Sequence, residues 1–285
     1  MPGLFDEYDK TAALFERRFG EMTDGLREIP QPLLDSMRYS LKTKGKRLRP
    51  VLFIRAALLL GRETDDAVLD FAAAIETLHN YTLVHDDLPA LDNDDYRRGR
   101  LTNHRVFGED IALLCGDALL NRAYELVFSA IERAGNAPGA IRAGALLCRL
   151  CGAAGLIGGQ TLDVAKPEEG AVSEEVLRYV FRHKTADLIA ASVLCGALYA
   201  DAADREYAAL ERFAYAFGFA FQLADDLLDK DSENRGMSAL DIYPEAEVRR
   251  RLDAYTAEAL AALADLPRDT SFFAALAGRF KERTI

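Results

Sequence analysis

The sequence predicts an all-α fold: a single domain, 1–285, of about ten helices packed as a bundle around a central cavity. Three observations predict it. Ala, Leu, Glu and Arg dominate, whereas Val and Ile are sparse and rarely alternate with polar residues. Apolar residues recur at helical spacing almost throughout, and no run has the period of two that a strand requires. Helix starts and breaks are punctuated by recognisable residues.

Taken in order, the periodicity predicts helices over 4–20, 31–42, 50–60, 65–86, 109–134, 138–156, 173–199, 204–228, 245–264 and 270–283. Pro30 and Pro32 open the second, and Pro50 marks the start of the third. The fourth runs IETLHNYTLVHD, apolar until it meets its aspartates. Asn136-Ala-Pro138-Gly139 separates the fifth from the sixth, in which LLCRLCGAAGL reads as buried helix. Ser173 before Glu174 and Glu175 is an N-cap followed by acids in the first turn. The eighth, FAYAFGFAFQLADDLLD, is oily for three turns before its acids arrive.

Half of the 285 residues are apolar, enough for a large core, and the formal net charge is −11. That balance argues against a nucleic-acid surface but leaves room for a small anion held by local basic clusters. No apolar run reaches the ~20 residues of a membrane span. The N-terminus has early acids and no apolar core of a secretory signal, so the expected location is the cytosol. Cys148 and Cys151 form one CxxC with no second pair or nearby histidine; buried thiols describe them better than zinc ligands.

The chemistry concentrates in two acidic clusters. Between 86 and 95 five aspartates fall within ten residues, followed by Arg97, Arg98 and Arg100. Asp86 and Asp87 end the fourth helix, with Asp92 six residues on; Pro89 can loosen the turn and let Asp92 swing back beside Asp86. In DDLLD, Asp225 and Asp229 share a helix face and Asp226 lies three residues from Asp229. Carboxylates at such spacing repel by a few tenths of a kcal/mol. A solvated acidic face would explain one cluster; it explains poorly two, each beginning DDL and each ending an apolar helix. Short oxygen-only ligands suit Mg²⁺ shared with phosphate oxygens, with Mn²⁺ as a substitute.

Basic groups supply the complement. KTKGKRLRP places Lys44, Lys46, Arg47 and Arg49 around Gly45 at a helix start. Cations there oppose the helix dipole unless an anion occupies the site. Arg97 and Arg98 have the planar forks that phosphate oxygens accept, or they neutralise the adjacent aspartates. His79 lies seven residues before Asp86, on the same face. In FRHKTADL, Lys184 and Thr185 sit between apolar flanks, where a lysine either snorkels or reaches an anion. Two metal-binding walls, two basic groups and greasy helices imply a diphosphate head on a hydrocarbon tail.

Five blocks in order, GKRLRP (45–50), HDDLPALDNDDYRRG (85–99), GGQTLDV (158–164), HKT (183–185) and FQLADDLLD (221–229), resemble the trans-isoprenyl diphosphate synthases, particularly bacterial farnesyl diphosphate synthases. The resemblance runs from about residue 30 to the C-terminus. It implies the isoprenoid synthase fold and a homodimer. It implies that Asp86, Asp87, Asp92, Asp225, Asp226 and Asp229 hold Mg²⁺ against an allylic diphosphate. Arg97 and Lys184 would grip that diphosphate, with Thr185 and Gln222 near it; Gly45, Lys46, Arg49, His79 and Arg98 would hold isopentenyl diphosphate. The chain departs from the family after Asp229. A glycine-lysine loop and a second glycine-lysine pair are replaced by KDSENRGMSALDIYPEAEV, about a dozen residues short, with Met237 where the later lysine is expected. Lys230 or Arg235 could stand in.

Tyr81 lies about 7.5 Å above Asp86 at 1.5 Å per residue. By resemblance, Tyr81 and Thr82 bound the tail, and with the extended DDLPALD motif they go with a C15 product; geranylgeranyl diphosphate is the alternative. Two rival readings remain. A terpene cyclase would carry one DDxxD and a later Asn/Ser/Glu motif, whereas here the second site is DDLLD. A non-catalytic subunit would fit the short loop, but has no need of costly carboxylates.

Overall fold

The computed structural model describes residues 4–165, 172–230 and 236–281. Its residues gather into two compact units. One comprises Tyr8–Ile54 and Thr64–Ala137; the other comprises Met1–Glu7, Arg55–Glu63 and Pro138–Ile285. The first aspartate motif lies in the former and the second in the latter.

In the unit of the first motif the helices are α1 (Leu4–Asp24), α2 (Gln31–Leu41), α3 (Leu48–Leu59), α4 (Asp66–Asp86), α5 (Asn103–Phe107) and α6 (Glu109–Arg133), with α1 and α3 crossing the division. α4 is buried on every face from Ala67 to Leu78, as a helix apolar all round must be, and it packs along α6. Asp65 caps α4, its Oδ1 accepting the Val68 amide at 2.9 Å. Phe53 stacks on Phe71 and Phe15 on Phe19, each fully or nearly buried. Burying each ring stabilises the unit by roughly 1.5–3 kcal/mol. Charge also enters this core. Asp70 is held by Arg18 at 2.7 Å and Arg133 at 3.0 Å, and Arg47 by Glu76 and Glu16, both at 2.6 Å.

The other unit contains α7 (Pro138–Leu150), α8 (Leu156–Val164), α9 (Glu174–Val180), a π-helical turn (Phe181–Ala186), α10 (Asp187–Tyr199), α11 (Asp204–Leu228), α12 (Glu245–Ala264) and α13 (Ser271–Lys281). α10 is buried nearly throughout and packs on α7 and α11. Phe213, Phe217, Phe273 and Phe280 interlock edge-on and stacked, binding α11 to α13. Ser173 caps α9 as its sequence position implied, accepting the Val176 amide at 3.2 Å.

Among the described residues the expected helices are present, with four differences, the first being the unexpected short helix α5; residues 282 and 283 of the last expected helix lie outside the described residues. The segment 138–156 is not one helix: Gly152 and Gly155 interrupt it, and α8 restarts at Leu156. The segment 173–199 carries the π-helical turn midway, which a 3.6-residue period does not distinguish. And Tyr96–Arg97 pairs with Arg100–Leu101 as a small antiparallel hairpin, although no alternating run announced it. Its loop, Arg98 and Gly99, has φ of 53° and 75°, the two left-handed residues of a tight hairpin turn.

Candidate active site

α4 brings the first motif together. It ends at Asp86, and the chain then folds back so that the Asp92 amide donates to the Asp86 carbonyl at 2.9 Å. The off-face spacing is thereby closed, as the loosened turn at Pro89 implied. Asp87 is buried and ion-paired to Arg97, whose Nη2 also reaches Asp94 at 3.1 Å. Burial raises the Asp87 carboxyl to about 6; Arg97 opposes the shift, while Asp94 and Asp92 add to it. Asp92 is exposed. Arg97 thus pairs with two aspartates of its own motif.

The basic residues of the same unit gather into a cationic cluster, the candidate anion seat. Arg98, at the hairpin tip, extends over Gly45: a Cβ at residue 45 would lie 2.5 Å from its Nη1. Only glycine leaves that room. Arg49 Nη1 lies 3.2 Å from His79 Nε2. Burial, then the positive charge of Arg49, Arg98, Arg97 and Arg47, pushes His79 well below 6.5, so the imidazole is neutral and can accept a hydrogen bond. Lys46 is exposed, its carbonyl taking the Tyr8 hydroxyl. Arg47 does not join this seat. Its side chain is buried: Nε donates to Glu16, Nη1 to Glu76, and Nη2 to the Leu41 and Thr43 carbonyls. Beside the seat a solvent-open cleft of about 390 Å³ lies among α2, α4 and the hairpin, lined by Thr43, Asn80, Asp87, Arg97, Arg98 and Arg100. On α4, Tyr81 is buried and Thr82 Oγ1 donates to the His79 carbonyl at 2.8 Å.

In the other unit, Lys184 and Thr185 stand on the π-helical turn. Lys184 Nζ pairs with Asp163 Oδ2 at 2.5 Å, and Asp163 Oδ1 accepts the Met237 amide at 2.8 Å. Thr185 Oγ1 donates to Gln222 Oε1 at 2.5 Å, and Gln222 Nε2 to Asp226 Oδ1 at 2.9 Å. Asp226 Oδ2 accepts the Ala239 amide at 2.7 Å. So the segment that replaces the missing loop is tied at two amides to Asp163 and Asp226. Asp225 is partly buried; Asp229 is exposed and its amide caps α11 on the Asp225 carbonyl at 2.9 Å. Lys230 is 3.5 Å from Glu245, and Arg235 lies outside the described residues.

Asp163 and Asp187 were not singled out from sequence. Asp187 is buried and receives His183 Nδ1 at 2.7 Å and the Tyr215 hydroxyl at 3.1 Å. The only signal for either was an acid inside an apolar helical block.

Among the described residues no three His, Cys, Asp or Glu side chains are grouped to hold a cation by themselves. The donors present are carboxylates at the ends of α4 and α11. They fit a Mg²⁺ that takes one or two protein ligands and completes its shell with water and phosphate oxygens. No described helix is long and apolar enough to cross a membrane.

A family model described as polyprenyl synthetase matches residues 30–240. The chain is 44% identical over 218 residues to "Geranylgeranyl pyrophosphate synthase 7, chloroplastic" of Arabidopsis thaliana, covering 75% of this chain and 62% of that one. It is 42% identical over 205 residues to the farnesyl diphosphate synthase of Geobacillus stearothermophilus, covering 71% and 67%. The chain thus spans about three fifths to two thirds of the length of these curated relatives, 62% and 67%. The crystal structure of an FPP/GFPP synthase from Zymomonas mobilis superposes with a TM-score of 0.88 at 30% identity, covering 97% of this chain and 98% of that one. With the helical architecture, both aspartate motifs and the match across most of its length, the chain belongs to the polyprenyl synthetase family.

Proposed function

We propose that this chain is a Mg²⁺-dependent trans-prenyltransferase that joins isopentenyl diphosphate head-to-tail to dimethylallyl or geranyl diphosphate, ending at farnesyl diphosphate. The observation that carries the reading is the anion seat: Arg98 over Gly45, with Arg49 against a neutral His79. Two guanidinium groups in one place, Arg49 steadied by His79, suit a diphosphate, and these are the residues to which isopentenyl diphosphate is assigned, with Lys46 at the rim. The family model spans parts of both units, which we read as one prenyltransferase domain.

In this reading Asp86, Asp87 and Asp92 of one motif, and Asp225, Asp226 and Asp229 of the other, hold Mg²⁺. The bound ions supply charge neutralisation for the departing diphosphate. Lys184, paired with Asp163, adds a donor to a diphosphate, and Thr185 and Gln222 orient it. Arg49, Arg98 and His79 hold isopentenyl diphosphate so that its double bond meets the allylic carbon as the C–O bond breaks. A proton then leaves the new chain, with the released diphosphate as acceptor. No protein nucleophile takes part.

Tyr81 supports the C15 product: its ring is buried on α4 before Asp86, where in this reading a tail growing up that helix would meet it. A C20 product is the second reading, because the Arabidopsis relative is named for geranylgeranyl pyrophosphate. A homodimer in the cytosol completes the proposal. The test is to incubate the purified chain alone with Mg²⁺, isopentenyl diphosphate and each allylic starter, and to size the products. Absence of any condensation product would favour a non-catalytic subunit; turnover of the allylic diphosphate without isopentenyl diphosphate would favour a cyclase.

A further inference from the structure

α4 and α6 meet at a notch. A Cβ added to Gly116 on α6 would lie 2.0 Å from both Cδ2 and Nε2 of His85 on α4. The imidazole therefore fills the space in which any other residue at 116 would begin its side chain. His85 is fixed there by a second contact, Nε2 to the Leu113 carbonyl at 3.1 Å. A carbonyl only accepts, so the proton is on Nε2. The same carbon edge of α4 carries Tyr81, one turn earlier. Its ring meets the His85 ring edge-on, centroids 5.4 Å apart and planes at 84°. Tyr81 is 6% exposed, so it has few other rotamers to reach without displacing its neighbours.

We propose that Gly116 and His85 set the product length by bracing Tyr81. The assignment rests on the reading of Tyr81 as the floor of the tail channel, and it deepens that reading: the floor is a three-residue stack, two residues on the helix that ends at Asp86 and the third, Gly116, on α6. Gly116 is a positioning residue. It touches no substrate; it admits the imidazole, which holds the phenol ring across the channel. A methyl group at 116 evicts the ring. The obstacle is the far end of a side chain and not backbone, so the helices need not separate. Tyr81 then loses its edge contact and yields to a longer tail.

The experiment compares the C20:C15 product ratio of the wild-type chain with those of Tyr81→Ala, Gly116→Ala, His85→Ala and the double variant Gly116→Ala/His85→Ala. A product ratio is a partition, and is insensitive to overall loss of rate. Gly116→Ala and His85→Ala should each raise the ratio by ~2–10-fold, the range that losing one aromatic edge contact allows. Gly116→Ala should add nothing once His85 is alanine, because both act through one contact. A second readout needs no turnover. The chain has only four histidines, so the His85 imidazole nitrogens are assigned by their disappearance in His85→Ala. Their shifts should report the Nε2–H tautomer in the wild type and a tautomer mixture in Gly116→Ala. An unchanged ratio in Tyr81→Ala overturns the floor and this assignment with it. A lengthened product in Tyr81→Ala, with unchanged ratios in Gly116→Ala and His85→Ala, overturns this assignment alone. If Gly116→Ala does not fold, as judged by circular dichroism, His85→Ala decides. If no variant makes product, an unaltered His85 tautomer in Gly116→Ala overturns the notch.

Discussion

Lys184 and Asp163 form an ion pair of 2.5 Å, and the second oxygen of Asp163 holds the amide of Met237 at 2.8 Å. One carboxylate thus joins the lysine of the HKT block to the segment where the family pattern fails. Asp163→Asn keeps an acceptor for the amide but loses the charge beside Lys184. Breaking a charge-assisted hydrogen bond of this kind costs about 1.5–3 kcal/mol. The expected outcome is a lower urea midpoint and a raised KM for the allylic substrate, with the KM for isopentenyl diphosphate unmoved. Equal changes in both constants would contradict this division.

Gly45→Ala places a methyl group on the Arg98 guanidinium. The arginine must swing away, leaving the anion seat with one donor fewer. A charge-assisted contact of about 1.5–3 kcal/mol predicts at least a tenfold rise in the KM for isopentenyl diphosphate. Stability should change little, since the displaced group is an exposed, flexible side chain. Initial-rate kinetics with each substrate varied in turn checks this.

Arg47→Met leaves Glu76 buried with its partner gone. Losing one member of a buried pair costs about 3–5 kcal/mol. The double variant Arg47→Met/Glu76→Leu should recover much of it, because no orphaned charge remains. Chemical denaturation of both variants measures the difference. A small effect in the single variant would overturn the weight given to this pair in the core.

His79 gives a signed pH dependence. Its folded pKa lies well below 6.5, through burial and the surrounding guanidinium charges. Below pH 6.5 the unfolded chain binds a proton that the folded chain does not. Stability is therefore full above that pH and is lost as pH falls toward the folded value. The slope from this one group is at most about 1.4 kcal/mol per pH unit. His79→Gln should flatten the fall in denaturation midpoint between pH 7.5 and 5.5; an unchanged slope assigns the dependence to other groups.

Chelation by EDTA should abolish condensation, and added Mg²⁺ should restore it. Asp86→Asn and Asp225→Asn should each lower kcat by about 100-fold or more, as loss of transition-state charge stabilisation does. Retained activity in either would remove that motif from the metal site.

Much of the fold was legible because amphipathic and all-apolar helices write their period into the chain. α4 and α11 announce themselves as oily rods that end in aspartate, and Ser173 as a cap. The hairpin at 96–101 was not legible, since two paired residues on each side make no alternation. Nor was the π-helical turn beneath Lys184, which shifts the register by less than the period resolves. Gly45 was marked by its position among cations, but its reason, the Arg98 fork lying over it, is a contact across 53 residues of chain.

The sequence by itself determined the helical class, the two acidic helix ends, the basic groups and the family. These depend on local spacing and residue chemistry, which a linear string preserves. Only tertiary structure decided which partner each charge meets. Arg47 was indistinguishable from Arg49 in GKRLRP, yet one is neutralised by Glu16 and Glu76 while the other faces His79. Ion pairing is set by proximity between residues far apart in the chain, and the pattern of the chain carries no record of it.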